Sequence, residues 1–427
     1  MPPFNIAIIG AGPSGCMLAR LLLQYQSQTS TPTTTSTPPL AITIFESETS
    51  PNFRAQGGTL DLHPSTGLAA IKAAGLYPDF LKYARFDGSA MRITDKNLKT
   101  YFSLSASSDG NPEIDRFQLR TLLLDALPEG EGSVTWGFKL DAVEEGGGGK
   151  GKLKLKFANG QVREGFDLVV GADGGWSRTR RYLDPLQKPV FSGISKYALT
   201  IPDSANTAPE ASKLVNRGSL FAFGDGKSIS GQQLGEGGID VGLFVQFDDG
   251  EPPKEPLGKR ELEDMFGDWS PELRDVIDKA EVEMKVYNLH YLPEGYRWEH
   301  RKGVTVLGDA AHLMTPFAGE GVNIAFDDAM KLSCAIIGGV EKGGEALDGN
   351  INAFEEDMFV RAAHAQHMTY GMMGDMFFTQ GAPRSSMQSW LVRRVSFDIR
   401  EKWWAPAVYP VLWAVFYGGY AVLRVFY

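Results

Sequence analysis

Cysteine is nearly absent: Cys16 and Cys334 are the only two in 427 residues. That rules out a disulfide scaffold and a cysteine-based zinc site, and both are read as small apolar core residues. Basic charge is also short. Lys and Arg total 42 against 52 for Asp and Glu, a formal net charge of −10. No basic stripe of the kind nucleic-acid proteins carry is found, so no nucleic-acid partner is expected. A secretory signal needs a basic segment and then an apolar stretch of about 7–15 residues. The chain reaches Gly10 with only Ile6-Ala7-Ile8-Ile9 behind it. The expectation is therefore a cytoplasmic protein, monomeric, whose first apolar run is a buried strand. His364 and His367 stand three apart, but no acid–histidine constellation accompanies them, and no metal site is read. What the chain does have is core material: 43% hydrophobic, 22% charged and 11% aromatic residues. Those proportions rule out wholesale disorder. At roughly 150 residues per domain, the length implies two or three domains.

The N-terminus carries the first chemistry. Phe4–Ile9 reads as a strand and Cys16–Tyr25 as a helix, with Met17, Leu18, Leu21 and Leu22 at helical spacing. Between them, Gly10-Ala11-Gly12-Pro13-Ser14-Gly15 matches the dinucleotide fingerprint. Gly10 allows the tight turn, Gly12 lets backbone approach a pyrophosphate, and Gly15 lets helix and strand close up. The helix start then offers free N–H groups and a positive dipole end to phosphates. Gln26–Pro39 is a Ser/Thr/Pro/Gln tract, read as an inserted surface loop. It delays the second strand, Ala41–Phe45, which ends at Glu46. A carboxylate there suits a free ribose 2′-hydroxyl and repels a 2′-phosphate, which selects FAD or NAD over NADP as the tightly held nucleotide.

Further along, Gly57–Pro64 reads as a strand and turn, and Ser65–Leu76 and Ile114–Leu127 as helices. Val134–Val143 and Lys152–Phe157 read as a hairpin around the Gly146–Gly149 run. Phe166–Gly171 is a buried strand entering Ala172-Asp173-Gly174-Gly175. From about Val190 to Tyr287, alternation at Tyr197–Ile201, Leu220–Phe223 and Gly238–Phe247 indicates a mostly antiparallel sheet. Gly303–Leu307 is another short strand, followed by Gly308-Asp309 and a helix to about Gly338.

Two of these segments resemble a known family. Val169-Val170-Gly171-Ala172-Asp173-Gly174-Gly175-Trp176-Ser177-Arg178 is similar to the "DG" motif of single-component FAD-dependent aromatic hydroxylases. Gly308-Asp309-Ala310-Ala311-His312-Leu313-Met314-Thr315-Pro316-Phe317-Ala318-Gly319-Glu320-Gly321-Val322-Asn323 is similar to their "GD" motif. Both follow the glycine turn in the family's order. The local segments Gly57–His63 and Asn111–Arg116 most resemble the tetracycline-inactivating branch and similar secondary-metabolism enzymes. The resemblance implies an FAD cofactor held by Gly10, Gly12, Pro13, Ser14, Gly15, Glu46 and Asp173. Arg116 and Asp309 would meet the ribityl and phosphate region, Arg54 would lie close to the flavin, and Pro316, Gly319, Gly321, Val322 and Asn323 would pass beside its ring. The residues agree with this. Asp309 ends an apolar strand and can accept a ribityl hydroxyl, and Gly319-Glu320-Gly321 opens a helix whose N–H groups suit a reduced, anionic flavin.

The fold class that follows is α/β. A Rossmann-like FAD-binding domain would occupy 1–189 and 288–355, interrupted by a β-sheet substrate domain over 190–287. A C-terminal helical segment would span 356–427. The reaction implied by the resemblance is monooxygenation. NADPH or NADH, bound transiently, reduces FAD; O2 adds at flavin C4a; and the resulting hydroperoxide hydroxylates or epoxidises an electron-rich polycyclic, phenolic or indole-like small molecule. One dinucleotide fingerprint, not two, fits a nicotinamide that docks and leaves. No catalytic residue is nominated, because the flavin carries the hard chemistry. Candidate substrate contacts are Gly58, Phe223, Phe317 and Met372, with Phe221, Phe244 and Phe247 as further pocket residues. Met372, Met373, Met376, Phe377 and Phe378 form either a lid or plain core. His312 is read as structural, and Arg178, Arg180 and Arg181 as a solvated basic cluster in preference to a seat for a 2′-phosphate.

Three departures stand out. Ser47 follows Glu46 where many relatives have Arg. Asp240 occupies the strand in which tetracycline-oxidising relatives carry a histidine, which argues for a different substrate. Trp403–Leu423 holds 21 residues without a charge, 17 of them apolar or aromatic. That length approaches a membrane span, and Arg393, Arg394, Arg400 and Lys402 precede it. Membrane contact and a helix packed over the substrate domain are the two readings. Flavin reductases and halogenases share the expected fold, although no Trp-x-Trp-x-Ile-Pro motif is present. A degenerate, membrane-associated flavin-binding scaffold is the reading from another class.

Overall fold

The computed structural model describes residues 2–426 apart from 30–37, 52–56, 106–110, 129–133, 147–151, 248–249, 282 and 401. A five-stranded parallel sheet lies at its centre, in the order Val304–Val306, Leu168–Gly171, Phe4–Ile9, Leu40–Glu46, Val134–Trp136. Its central strands are continuous apolar runs because both faces are covered, one by helices and the other by an antiparallel trio whose Phe157 and Phe166 rings meet Phe45. Ile6, Ala7, Ile8, Leu168, Val169 and Val170 are all 0% exposed. The first helix, Pro13–Thr29, packs on the long helix Gly321–Lys342 and on Arg116–Asp125. Residues 304–342 thus return to the same core as residues 4–46.

The 134–143 segment divides where a single hairpin strand was expected. Val134–Trp136 joins the parallel sheet beside Leu40–Glu46. Leu140–Glu145 instead starts an antiparallel trio with Leu153–Phe157 and Val162–Phe166. Gly137, with φ +77°, makes the break. Cys16 is buried as expected, and burial pushes its thiol up to about 12. Cys334 is exposed, on the outer side of its helix, contrary to its reading as core.

The second sheet has seven strands, in the order Lys285–Tyr291, Val190–Ile201, Ile239–Gln246, Lys227–Gln233, Ser219–Gly224, Met91–Asp95, Thr100–Leu104. Two of these come from residues 91–104, far ahead of the region in which alternation was recognised. Ser219–Gly224 pairs parallel with Met91–Asp95 and antiparallel with its other neighbour, Lys227–Gln233. Period-two alternation separates the faces. Tyr197, Leu199, Ile201, Val241, Leu243 and Val245 face a core completed by Leu262, Phe266, Trp269, Leu273 and Ile277 from the helices Lys259–Met265 and Pro271–Lys279 with their flanks. The residues between them on the same strands, Lys196, Thr200, Asp240 and Phe244, face the other way.

The C-terminal part is helical: Gly344–Met373, a wide turn over Gly374–Phe378, Met387–Ile399 and Ala405–Phe426. Among the described residues no helix is long and apolar enough to cross a membrane. Two of the four charges read as preceding a span, Arg393 and Arg394, face inward. Arg393 pairs with Asp375 at 3.0 Å and Arg394 with Glu320 at 3.0 Å. The last helix contacts Met387–Ile399 and leaves Val411, Trp413 and Val415 exposed.

Candidate functional site

One cavity of about 2560 Å³ runs from the glycine turn to the seven-stranded sheet. Small-molecule pockets usually measure about 300–1,000 Å³, so this space is large enough for an extended dinucleotide and a second molecule.

At one end the backbone sets the shape. Gly10 has φ +107°, and a Cβ there would stand 2.3 Å from the Ala172 carbonyl oxygen. A Cβ at Gly15 would stand 2.1 Å from the Gly10 carbonyl oxygen. These two approaches let the helix begin at Pro13 immediately beside the strand ends, so that its first N–H groups, which have no intrahelical acceptors, face the cavity. At Gly12 a Cβ would meet nothing within 4 Å, so this side of the turn is open.

Glu46 ends its strand at this rim, 8% exposed. It accepts hydrogen bonds from the Ala11 N–H at 2.7 Å, the Ser47 hydroxyl at 2.9 Å and the Glu48 N–H at 2.9 Å. Ser47, the residue at which this chain departs from the family pattern, therefore braces the acid. A cation reaches this end from another element: Arg120, on the helix Arg116–Asp125, donates to Glu48 at 2.5 Å. Arg120 is 7% exposed, lines the cavity, and has two further nitrogens, Nε and Nη1, without a partner among the described residues. Buried donors are costly to leave unpaired, so this guanidinium is suited to an anionic or hydroxyl-rich ligand. Sequence reasoning passed over it because no local motif marks it.

The two later motifs meet beside this turn. Asp173 lines the cavity, but its carboxylate is turned inward, accepting from Ser177 Oγ at 2.5 Å, Arg178 N–H at 2.8 Å and Thr179 N–H at 3.2 Å. Burial outweighs these bonds and holds its pKa above the ordinary carboxylate range. What it visibly does is fix the start of the helix Arg178–Leu183. From that helix Arg180, 1% exposed, donates to the carbonyls of Ala310 at 2.7 Å and Gly175 at 2.6 Å. Arg180 is thus a tie between the two motifs, not part of a solvated cluster.

Asp309 opens the short helix Asp309–His312 and faces the cavity with Arg116. Burial lowers the pKa of the Arg116 guanidinium, against the opposing pull of Asp309 and Asp240. His312 is buried and bonds the buried Asp328 carboxylate at 2.6 Å. Pro316–Ala318 forms a single tight turn, Gly319 adopts the left-handed conformation, and the long helix begins at Gly321. Pro316, Phe317, Gly319, Gly321 and Val322 line the cavity. Asn323 does not: it accepts from the His63 N–H at 2.8 Å and donates to the Asp61 carbonyl at 3.0 Å, stitching this loop to the Thr59–Asp61 strand. Arg394, from the C-terminal helices, donates to the Ala318 carbonyl at 3.2 Å and holds Glu320, a contact no sequence signal announced. Arg54 lies outside the described residues.

At the far end the lining becomes aromatic. Phe317 is 4.9 Å from Phe377 and 5.8 Å from Phe244 between ring centroids, and Phe223 is 5.6 Å from Phe377. Met372 and Met376 close the slot. With Met373 and Phe377 they belong to one buried cluster with Ile194 and Phe223, so this stripe is the packed wall of the slot. Gly58 lines the passage between the two ends. Phe221 and Phe244 also line the cavity, whereas Phe247 packs on the opposite core. Among the described residues no group of three or more His, Cys, Asp or Glu is arranged to hold a metal ion.

Comparison with known proteins bears on this arrangement. Residues 4–369 match the family described as "FAD binding domain". The chain is 33% identical over 420 residues to "Monooxygenase penA" of Penicillium thymicola, covering 86% of this chain and 94% of that one. Among solved structures it resembles "Salicylate hydroxylase substrate complex", with a TM-score of 0.73 at 17% identity, covering 96% of this chain and 98% of that one. It also resembles Klebsiella pneumoniae HpxO complexed with FAD and uric acid, with a TM-score of 0.71 at 18% identity and 96% coverage of each chain.

Proposed function

The chain belongs to the FAD binding domain family and is an FAD-dependent monooxygenase of the aromatic hydroxylase type, and we propose that it uses NADPH or NADH and O2 to hydroxylate or epoxidise an electron-rich aromatic small molecule. The observation that carries this reading is the single cavity. It joins a phosphate-binding turn, an Arg116–Asp309 couple, a helix N-terminus at Gly321 and an aromatic slot.

The residues present fit the cofactor. The Pro13 helix start and the unpartnered Arg120 nitrogens would take its phosphates and adenosine end. Glu46 would meet the ribose, Asp309 and Arg116 the ribityl chain, and the backbone of Gly319–Val322 the ring. When bound, FAD supplies the redox chemistry with nicotinamide and dioxygen. The protein's own part is positioning and shelter. Arg394 and Asn323 hold the loop before the Gly321 helix start, whose N–H groups would favour negative charge on a flavin ring bound beside it. The Phe317, Phe244 and Phe223 rings, with Phe377 packed behind them, would exclude water and offer flat surfaces to an aromatic substrate. The nicotinamide has no second dinucleotide turn to occupy, which fits a transient visit.

The test is an anaerobic spectrum of the FAD-loaded protein with excess NADPH or NADH, with and without phenols and indoles, followed by air. Bleaching that accelerates with an aromatic compound and reverses in air is expected. Slow bleaching unaffected by any aromatic, with air returning only hydrogen peroxide, would favour a reductase.

A further inference from the structure

The seven-stranded sheet turns a charged pair toward the cavity that cofactor binding leaves unused. Strand register sets Lys196, Ala198 and Thr200 level with Phe244, Gly242 and Asp240 of the neighbouring strand. Lys196 and Asp240 are therefore not cross-strand partners. Even so, Lys196 Nζ lies 3.3 Å from Asp240 Oδ2. The lysine gets there by lying diagonally across Gly242. A Cβ on Gly242 would stand 2.9 Å from Lys196 Cε and 2.6 Å from Ser230 Oγ, so the missing side chain is what leaves the lysine its path. On the way Nζ sits 5.8 Å from the centre of the Phe244 ring, which ties the pair to the aromatic slot.

Asp240 in turn is pressed against the passage toward the cofactor region. A Cβ on Gly57 would be 2.7 Å from Asp240 Oδ1, and one on Gly58 would be 3.6 Å from Oδ2. The acid is 4% exposed, yet it lines the cavity. A carboxylate offers about four acceptor sites, and among the described residues Lys196 is its one hydrogen-bond donor. Together the two side chains sum to no charge while leaving acceptor capacity free. A neutral O–H or N–H on an aromatic edge can fill that capacity with a charge-assisted hydrogen bond. A second carboxylate would meet Asp240 as a like charge and have to share Lys196 with it, the nearby Arg116 being drawn also to Asp309.

We propose that Asp240 and Lys196 select the substrate, taking a neutral aromatic that presents a hydroxyl or ring N–H donor to Asp240 and rejecting one that presents a carboxylate. This rests on the reading of the cavity as a monooxygenase substrate site.

The test uses the full chain loaded with FAD and three probes of one shape: 2-naphthol, 2-methoxynaphthalene and 2-naphthoate. Binding is read from the perturbation of the flavin spectrum. The wild type is expected to bind 2-naphthol about tenfold more tightly than 2-methoxynaphthalene, the order of a charge-assisted hydrogen bond, with 2-naphthoate weakest. In Asp240→Asn the hydroxyl-over-methoxy ratio should shrink to about threefold and 2-naphthoate should gain. In Lys196→Met the carboxylate loses its neutralising partner, so 2-naphthoate should weaken further while 2-naphthol holds. A merely structural pair would shift all three probes together. If Asp240→Asn does not fold, Lys196→Met and the wild-type ranking carry the test. Equal wild-type binding of all three probes, or ratios unmoved in the variants, overturns the proposal. Protein that takes up no FAD would instead overturn the proposed function itself.

Discussion

The two ends of the cavity are built by different means. At the nucleotide end, backbone does the work. Gly10, Gly15 and the start of the Pro13 helix are adjacent in sequence, and their shape follows from the absence of side chains. At the aromatic end, side chains do the work, and they come from the 91–104, 190–246, 316–318 and 372–377 segments, brought together only by the sheet and the C-terminal helices. The first end tolerates almost no change of residue type. The second can change its selectivity one side chain at a time, because its scaffold is a regular sheet whose opposite face has its own core.

The contrast is broken most severely at Gly15. Gly15→Ala places a Cβ 2.1 Å from a backbone oxygen, beyond the roughly 1–3 kcal/mol of ordinary overpacking. Loss of nearly all bound flavin is expected, read from the ratio of flavin to protein absorbance; a fully flavinated variant would mean the turn is not the cofactor's seat. Next comes Arg120→Met, which removes one charged partner of the buried Glu48 carboxylate and the partner we assign to the cofactor. Breaking such a pair typically costs about 3–5 kcal/mol, seen as a lower urea midpoint together with weaker FAD retention. At the other end, Phe317→Ala should spare the fold and weaken aromatic binding by about 0.5–1.5 kcal/mol. Titration of 2-naphthol into the flavinated variant checks this.

A smaller, pH-dependent effect concerns the loop between the two ends. Burial alone would lower the His63 pKa, but its 2.9 Å bond to Asp61 and the nearby Glu320 carboxylate raise it above the usual histidine range. A raised folded value means that the stabilisation is complete below the unfolded pKa and is lost as pH rises through the folded one. His63→Gln should therefore be less stable than the wild type by about 1 kcal/mol in mild acid, with the gap closing as pH rises past that raised value. A gap independent of pH would exclude this coupling. Smallest of all, His367→Gln removes an exposed pair with Glu294. Such pairs contribute about 0–1 kcal/mol, and neither end of the cavity should respond.

The same contrast explains what the sequence made legible. The glycine turn, Glu46, the Asp309 segment and the Gly321 helix start could be read because each is a local pattern whose geometry depends on near neighbours. The alternating strands over 190–287 were also legible, since period two is a local signal. The membership of Met91–Asp95 and Thr100–Leu104 in that sheet was not, because their pairing partner lies over a hundred residues downstream. Arg120, Arg180 and Arg394 were passed over or misread for a related reason. A charged residue on a helix gives no sign of which distant carbonyl or carboxylate it will meet. Asp240 was noticed only as a substitution; its use became visible when the register brought Lys196 across Gly242.

The central claim is that this cavity inserts one atom of dioxygen into an aromatic ring, and isotopically labelled dioxygen tests it most directly. The flavinated protein would be turned over with NADPH on 2-naphthol and a set of related phenols and indoles, and the products weighed by mass spectrometry. The account predicts an aromatic product carrying one labelled oxygen atom. Nicotinamide oxidation that yields only labelled hydrogen peroxide, or a product whose new oxygen comes from water, would contradict it.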